Sequence, residues 1–278
     1  MSSFKTKSRR VSFFARLSTS RLRRLPDFII IGAQKSGTTS LFNYLSRHPQ
    51  VIPSFTKEVH YFDGGKDPGI DTYARGSGWY RAHFPIKTMS GRYTLTGEAS
   101  PLYIFNPAVP QRIFRLLPQV KLIALLRNPV ERAVSHYYHE RRKGREPLSI
   151  LEAFDSEAKR IQTALQEKDY KNLNFINFTY LKRGLYAEQL ERYFNFFDKN
   201  QILIIKSENF FTNPGRAMIP VCRFLGIDHN FSFTDLKPRN TGKNKKPVAP
   251  EVRKYLEDYY SDQNQRLFSL LGNNLGWE

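Results

Sequence analysis

Residues 27–45 read Asp-Phe-Ile-Ile-Ile-Gly-Ala-Gln-Lys-Ser-Gly-Thr-Thr-Ser-Leu-Phe-Asn-Tyr-Leu, and the rest of the chain is organised around this stretch. Its aromatic and β-branched run, residues 28–31, predicts a strand that is buried on both faces. Gly32 and Gly37 bound a turn, and Thr38 opens a helical pattern. Unpaired backbone N–H groups and the positive end of the helix dipole converge at such a junction. We therefore predict that an anion, which we interpret as a phosphate, binds there.

The turn differs from a Walker A motif at one position. That motif reads G-x-x-x-x-G-K-[ST], and here Gly32 and Gly37 keep the spacing while Thr38 replaces the lysine. The basic residue comes early instead, at Lys35, so the loop is poorly equipped to hold the β- and γ-phosphates of a nucleoside triphosphate. The alternative is that the glycines only permit a tight strand-to-helix turn. The anion-binding residues predicted on this loop are Lys35, Ser36, Gly37, Thr38, Thr39 and Ser40.

Composition and charge narrow the class of protein. The 278 residues can bury one substantial core, and a 40% hydrophobic share with 14% aromatics indicates a folded globular chain. The net charge of +19 implies acidic partners, which include a nucleotide, a sulfated or phosphorylated substrate, nucleic acid and an anionic membrane. The single cysteine, Cys222, rules out an internal disulfide and fits a reducing cytoplasm.

Residues 1–26 form a basic N-terminal arm, with Pro26 at its end. This arm is interpreted either as a solvated, partly disordered segment or as a helix that lies on a membrane surface. No segment reaches the roughly 18–20 apolar residues of a membrane span, and arginines interrupt the arm, so we expect no signal anchor.

A second cluster places Lys57, Glu58, His60 and Asp63 within seven residues. In extended backbone Glu58 and His60 share a face, since side chains alternate. The ammonium of Lys57 lowers the pKa of the Glu58 carboxyl, so the carboxylate stays ionised and can take a proton from a hydroxyl or an amine. The alternative is a solvated, charged turn.

A third element joins a strand to a helix. Residues 120–126 predict a second buried strand that ends at Arg127, and Asn128 and Pro129 form a typical helix start. An arginine at the carboxyl end of a strand is well placed to bind a ligand, and its guanidinium can fork onto a phosphate. The alternative is that Arg127 is a structural ion-pair partner. His136 and His139 lack a third ligand nearby, so no metal site is predicted.

Two of these motifs, taken in order, resemble a known family. The sequence Gln-Lys-Ser-Gly-Thr-Thr at 34–39, followed by Lys-Glu-x-His-x-Phe at 57–62, is similar to glycan sulfotransferases of the heparan-sulfate type and their bacterial relatives. The resemblance implies that Lys35 contacts the phosphosulfate of 3′-phosphoadenosine 5′-phosphosulfate (PAPS) and that Glu58 is the general base. It also places Lys57, His60 and Asp63 beside the acceptor, with His60 counted among the catalytic residues. Residues 126–137 resemble the family's 3′-phosphate element, which implies that Arg127 and Ser135 bind that phosphate.

Weaker resemblances extend to three further segments. Gly97-Glu98-Ala99-Ser100-Pro101 is similar to a family turn in which Ala99 replaces a lysine, and Glu98 is either an acceptor-binding carboxylate or a capping residue. Tyr186 lies in a segment that packs near the nucleotide in the family. The late basic loop with Lys243, Asn244 and Lys245 either closes over the nucleotide or is a solvated charge run.

The sequence thus predicts a three-layer α/β/α domain at 27–278, with a central, mainly parallel sheet of the P-loop nucleotide-kinase type. By resemblance, it is a sulfotransferase that moves a sulfuryl group from PAPS to a hydroxyl or an amine of a carbohydrate or small-molecule acceptor. The product would be 3′-phosphoadenosine 5′-phosphate, and neither a metal nor nucleic acid is implied. The alternatives are a P-loop nucleotide kinase or NTPase, against which the missing lysine argues, and a basic module that binds nucleic acid or membrane. The acceptor's identity and the oligomeric state stay open.

Overall fold

The computed structural model describes residues 12–87, 94–239 and 248–277, and a five-stranded sheet lies at its centre. The strands are β1 (Phe28–Gly32), β2 (Val51–Pro53), β3 (Leu95–Ala99), β4 (Lys121–Leu126) and β5 (Ile202–Lys206). Their order across the sheet is β2-β3-β1-β4-β5, and every pairing is parallel. The predicted parallel sheet is therefore confirmed.

Helices connect the strands and cover both faces of the sheet. In chain order they are α1 (Thr38–Leu45), α2 (Gly76–Arg81), α3 (Val109–Leu116), α4 (Pro129–Arg142), α5 (Ile150–Asp155), α6 (Glu157–Gln166), α7 (Leu173–Asn177), α8 (Tyr186–Phe194), α9 (Ser207–Thr212), α10 (Pro214–Leu225) and α11 (Pro250–Leu271). Short 3-10 turns lie at Ser20–Leu22, Tyr73–Arg75, Lys182–Gly184 and Lys199–Gln201.

The alternation of side chains along β1 explains the three layers. Ile29 and Ile31 point into one core, which they share with residues of α3, α8 and α11. Phe28 and Ile30 point into the opposite core, which they share with residues of α1, α9 and α10. All four side chains are fully buried, and each contributes about 1.5–3 kcal/mol by leaving water. This double burial is why the strand reads as a continuous apolar run.

The sequence patterns at 150–166 and 181–197 each predict a single helix, and the structure differs at both. The helix predicted at 150–166 is two helices that meet at Ser156, and Ser149 begins the first with a capping box to Glu152. The helix predicted at 181–197 is a 3-10 turn followed by α8, because Leu185 leaves the helical region of backbone conformation. Neither difference moves a residue away from the site described below.

The described part of the N-terminal arm is packed, unlike the solvated segment that was one of its two interpretations. Residues 12–18 are helical, and the ring of Phe13 lies 4.7 Å from that of His83. The guanidinium of Arg16 donates to the carbonyl oxygens of Ala82 at 2.7 Å and Phe84 at 2.9 Å. Throughout residues 12–87, 94–239 and 248–277, no helix combines the length and the apolar character that a membrane span needs.

Candidate active site

Three strand ends meet at one cavity of about 910 Å³. The residues after β1, β4 and β5 all line it, because the carboxyl ends of parallel strands lie at the same edge of a sheet. Lining residues include Lys35, Arg127 and Ser207, one from each strand end. The predicted glycine turn and the predicted arginine element therefore belong to one site.

The loop between β1 and α1 takes the shape that an anion cradle needs. Gly37 precedes the helix with φ = 101°, and a Cβ there would lie 2.6 Å from the Phe211 ring, so only glycine fits. Lys35, Gly37, Thr38 and Thr39 line the cavity. The helix N-terminus lacks a side-chain cap, which leaves its N–H groups for a ligand.

Lys35 lies among like charges. Burial, followed by the charges of the neighbouring cations Arg142, Arg127 and Lys143, lowers the pKa of its ammonium to about 8, and Glu140 opposes this shift. An anion bound among these cations would relieve the repulsion. The charge pattern of the site therefore fits a phosphorylated ligand.

Arg127 projects into the cavity beside the loop. Its Nη1 donates to the backbone carbonyl of Lys35 at 3.3 Å, and its Nη2 lies 3.4 Å from Oε2 of Glu131. Ser135, two helical turns along α4, lines the same cavity. Arg127 therefore fits both interpretations of the sequence, because it forms an ion pair with Glu131 and also lines the cavity.

The cluster at 57–63 closes the other side of the cavity, where Glu58 is surrounded by cations. Its Oε1 accepts from Nζ of Lys57 at 2.7 Å, and its Oε2 accepts from Nζ of Lys66 at 2.6 Å. Burial alone would raise the pKa of Glu58, but the hydrogen bond with His60 and the charges of Lys66 and Lys57 outweigh it and hold the pKa well below its usual range. The carboxylate is therefore ionised at neutral pH.

His60 links Glu58 to a second carboxylate. Its Nδ1 lies 2.6 Å from Oδ2 of Asp63, and its Nε2 lies 3.2 Å from Oε2 of Glu58. Burial lowers the pKa of the imidazole, but the Asp63 carboxylate and the hydrogen bonds to both carboxylates outweigh it and raise the pKa. His60 and Asp63 are both buried, so they reach the cavity only through Glu58.

Glu98 lies beneath this cluster and has no exposed surface. Its carboxylate accepts from Ser100 at 2.6 Å, from Tyr80 at 2.8 Å, from Tyr103 at 3.1 Å and from the backbone N–H of Val59 at 3.3 Å. Burial raises the pKa of Glu98 to about 7 against these hydrogen bonds. A carboxylate enclosed in this way supports the loop at 58–60. The sequence suggested that Glu98 contacts the acceptor, and such a contact would require this loop to open.

Three predicted ligand residues lie behind the cavity wall. Ser36 and Ser40 are fully buried, and the Ser40 hydroxyl accepts from the backbone N–H of Arg239 at 2.9 Å. The Tyr186 hydroxyl donates to the backbone carbonyl of Arg127 at 2.9 Å. Ser40 and Tyr186 therefore hold neighbouring backbone in place, whereas the buried Ser36 hydroxyl has no hydrogen-bond partner among the described residues. Lys243, Asn244 and Lys245 fall outside the described residues.

Several residues that line or support the cavity were not predicted from the sequence. The buried guanidinium of Arg183 donates to the side-chain oxygen of Gln34, which precedes the loop lysine. Lys66, His139 and Lys143 also line the cavity, although no motif in the sequence assigned them to a ligand. Within residues 12–87, 94–239 and 248–277, no cluster of three His, Cys, Asp or Glu side chains could hold a metal ion.

This arrangement joins two chemical capacities in one cavity. One wall holds helix N–H groups, Lys35 and Arg127 for an anion, and the other presents the ionised carboxylate of Glu58. Such a cavity can bind a phosphorylated group donor and accept a proton from the molecule that receives the group.

Comparison with known proteins supports this interpretation. The sulfotransferase domain family matches residues 25–260. A curated relative, the membrane-associated sulfotransferase kil1 of Dictyostelium discoideum, is 31% identical over 93% of this chain and 68% of its own length. The bifunctional heparan sulfate N-deacetylase/N-sulfotransferase 2 of Bos taurus is 31% identical over 89% of this chain, which spans only 30% of that protein.

Solved structures agree with the fold. The crystal structure of a sulfotransferase from Alicyclobacillus acidocaldarius is 31% identical, covers 91% of this chain and 99% of its own, and superposes with a TM-score of 0.74. The mouse sulfotransferase SULT7A1, solved in complex with PAP, is 14% identical over 92% of this chain and 91% of its own, with a TM-score of 0.53. The latter likeness shows the fold alone.

Proposed function

Since this chain belongs to the sulfotransferase domain family, we propose that its cavity binds PAPS as the sulfuryl donor and that Glu58 is the base of the transfer. The chain is a transferase that moves a sulfuryl group to a carbohydrate or small-molecule acceptor. PAPS carries a phosphosulfate on its 5′ side and a phosphate on its 3′ side. The cavity wall that carries Lys35 and Arg127, here called the donor-side wall, has two turns, and we assign one turn to each of these groups.

The observation that carries this proposal is the meeting of the two turns. The loop that holds Lys35 and the arginine element that holds Arg127 are in direct contact, with 3.3 Å between the Arg127 guanidinium and the Lys35 carbonyl. Lys35 and the helix N–H groups are proposed to bind the 5′ side, and Arg127 with Ser135 the 3′-phosphate. A guanidinium suits a phosphate because it can donate two parallel hydrogen bonds.

The proposed transfer needs one acid–base partner and one anion cradle. The acceptor oxygen or nitrogen attacks the sulfur and forms a new bond, while the bond between the sulfur and the oxygen it shares with the 5′-phosphate breaks. The acceptor proton goes to Glu58. The leaving group is 3′-phosphoadenosine 5′-phosphate, whose new negative charge is neutralised by Lys35 and the loop N–H groups.

His60 and Asp63 are proposed to support Glu58. Asp63 orients the imidazole through Nδ1, and Nε2 of His60 faces the Glu58 carboxylate. When Glu58 takes the acceptor proton, the imidazole is in place to hold the carboxyl in position. His60 is therefore proposed as a catalytic partner that acts through Glu58, and Lys57 as a second brace on the same carboxylate.

For the remaining predicted residues we propose supporting roles rather than direct contact with the reacting groups. Ser36, Ser40 and Tyr186 are proposed to hold the donor side from behind the wall, and Glu98 the loop at 58–60 from below. We also propose that the loop with Lys243, Asn244 and Lys245 closes over the nucleotide. We also keep a cytoplasmic location, which the lone buried Cys222 fits, and a peripheral membrane contact of the arm, where Phe14 is 71% exposed.

Transfer of sulfur-35 from labelled PAPS to a panel of carbohydrates, phenols and amines tests this function. Sulfated product that is lost in Glu58→Gln, with no dependence on Mg²⁺, is the expected result. Mg²⁺-dependent hydrolysis of ATP without any transfer from PAPS would instead favour the nucleotide kinase or NTPase alternative. Salt-sensitive binding to DNA or to anionic vesicles, with no affinity for PAPS, would favour the basic binding module.

A further inference from the structure

The helical residues 12–18, here called the arm helix, pack beside the segment that carries the proposed base. The ring of Phe13 contacts three aromatic rings of the domain. Its centroid lies 4.7 Å from that of His83, 5.9 Å from that of Trp79 and 6.2 Å from that of Phe55. One side chain of the arm helix therefore touches residues on both sides of the proposed base in sequence.

Arg16 fixes the arm helix on this surface. Its guanidinium lies 4.8 Å from the centroid of the Phe55 ring, which is a favourable cation–π distance. The same guanidinium donates to the carbonyl oxygens of Ala82 at 2.7 Å and Phe84 at 2.9 Å. Phe84 also accepts from Nη1 of Arg23, at 2.9 Å, just after the arm helix. The family match begins at residue 25, so both arginines lie before the matched domain.

Phe55 connects the arm helix to Glu58 through the backbone. It precedes Glu58 by three residues, and its backbone N–H donates to the carbonyl oxygen of His83 at 2.7 Å. Between them, the carbonyl oxygen of Lys57 accepts from the backbone N–H of Ala99 at 3.1 Å. The position of the Phe55 ring therefore decides where this segment enters the cavity.

A second connection to Glu58 runs through stacked rings. Trp79 stacks on Tyr61 with 6.2 Å between centroids, and Tyr61 stacks on Tyr80 at 4.6 Å. Tyr61 directly follows His60, whose Nε2 lies 3.2 Å from Oε2 of Glu58. Because packed aromatic rings have few alternative arrangements, a change at Trp79 is passed on to this part of the chain.

We propose that the arm helix positions the base, because Phe13 holds the segment at 55–61 near both of its ends. One contact is with Phe55, and the other reaches Tyr61 through Trp79. The inference rests on the proposed function, since it takes Glu58 as the base. Phe13 does not line the cavity, so it acts as a positioning residue and not as a catalytic one.

His83 reports whether the arm helix is docked. Its side chain is buried against Phe13, and both ring nitrogens lack a hydrogen-bond partner among the described residues. Burial, followed by the charge of Arg16, lowers the pKa of the imidazole to about 3. Release of the arm helix weakens the first cause and removes the second, so the pKa should rise towards its ordinary value of 6.5.

Phe13→Ala and Phe14→Ala form a matched pair, because the two residues are neighbours and Phe14 is 71% exposed. Proton NMR of the whole chain follows the imidazoles of His83 and His60, with their signals assigned by their loss in His83→Asn and His60→Asn. In Phe13→Ala the His83 ring should titrate between about pH 5 and 8, whereas it should stay neutral there in the wild type and in Phe14→Ala. The His60 signals should move in Phe13→Ala and stay in place in Phe14→Ala. If His83 does not titrate in this range in Phe13→Ala, or if it titrates while the His60 signals stay in place, the proposal is overturned.

The kinetics of transfer test the catalytic consequence. With labelled PAPS and an acceptor that the wild-type protein sulfates, kcat should fall about tenfold in Phe13→Ala, since a misplacement of about 1 Å can cost about 10²-fold. It should be unchanged in Phe14→Ala. The affinity for 3′-phosphoadenosine 5′-phosphate should be the same in all three proteins, because Lys35 and Arg127 lie on the opposite wall.

The two sets of measurements separate this proposal from the proposed function. An unchanged kcat in Phe13→Ala, in which His83 titrates, would overturn the positioning role even though sulfuryl transfer is intact. If the wild-type protein forms no labelled product while His83 and His60 respond as expected, the proposed function fails on its own. The arm helix would then still position the segment at 55–61.

Discussion

The guanidinium of Arg127 donates a hydrogen bond to the backbone carbonyl of Lys35, across 92 residues of sequence and 3.3 Å of space. The two residues meet because β1 and β4 are neighbours in the sheet and both end at the same edge. Each strand then turns into a helix whose N-terminus faces the cavity. This contact joins two motifs that are separate in sequence into one proposed site for a bisphosphorylated nucleotide.

Replacement of Arg127 by alanine should weaken the binding of 3′-phosphoadenosine 5′-phosphate by about 1–3 kcal/mol, the scale of a lost charged hydrogen bond. Adenosine 5′-phosphate lacks the 3′-phosphate, so its affinity should change far less. Isothermal titration of both nucleotides against both proteins gives the comparison. An equal loss for the two nucleotides would mean that Arg127 only supports the fold.

The affinity for 3′-phosphoadenosine 5′-phosphate should depend on pH through Lys35. Burial, followed by the charges of Arg142, Arg127 and Lys143, lowers the pKa of Lys35 to about 8. The ammonium is charged below this pKa, and a bound anion favours the charged form. Affinity should therefore be highest below about pH 8 and fall by up to about tenfold per pH unit above it, since one proton is linked to binding.

Lys35→Arg is the matched control for this pH dependence, because a guanidinium stays charged throughout the range. Its affinity should be nearly flat between about pH 7.5 and 9.5. A wild-type protein with the same flat profile would show that Lys35 does not contact the nucleotide.

Glu58→Gln should lower sulfuryl transfer by about 10²–10⁴-fold, the usual contribution of a general base. The amide keeps the shape of the side chain but cannot take the acceptor proton. Nucleotide affinity should stay nearly intact, because Glu58 lies on the wall opposite the anion cradle. Glu131→Gln removes a carboxylate from the donor side of the same cavity and should keep most of the turnover. If Glu58→Gln keeps full turnover, Glu58 is not the base of the transfer.

Arg183 and Gln34 should be energetically coupled. Arg183 is buried, and besides Gln34 its guanidinium donates to the carbonyls of Ile176 at 2.6 Å and Phe175 at 3.1 Å. Arg183→Lys should lower the free energy of unfolding by about 1.5–3 kcal/mol, since a lysine cannot make all of these bonds. Nucleotide affinity should fall with it, because Gln34 precedes Lys35 in the loop.

A double-mutant cycle with Gln34→Ala separates the two effects. Urea unfolding and nucleotide titration of both single variants and the double variant give the coupling, which should be about 0.5–3 kcal/mol in the binding cycle. Additive losses in binding would mean that Arg183 supports only the wall formed by α7.

The fold could be predicted because its strands carry local signals. Residues 28–31 form an apolar run that only a strand covered on both faces explains, and Asn128 with Pro129 marks the start of α4 without any tertiary information. The two-helix break at Ser156 was missed, because a continuous apolar pattern runs through it.

The site was only partly predictable, because burial and long-range contacts decide it. Glu98 looks like a functional carboxylate in sequence, yet two tyrosine hydroxyls and a serine hydroxyl enclose it. Lys66 stands in a stretch of glycine, aspartate and proline that carries no motif, and only the folded chain brings it to Glu58. Residues that act through others, such as Arg183, leave no pattern at all.

The central claim is that two strand-end turns hold opposite ends of one nucleotide. A crystal structure of the protein soaked with 3′-phosphoadenosine 5′-phosphate tests it most directly. The account predicts the 5′-phosphate on Lys35 and the N–H groups of residues 37–39, with the 3′-phosphate on Arg127 and Ser135. A nucleotide bound elsewhere, or one with Arg127 out of reach of every phosphate oxygen, would contradict it.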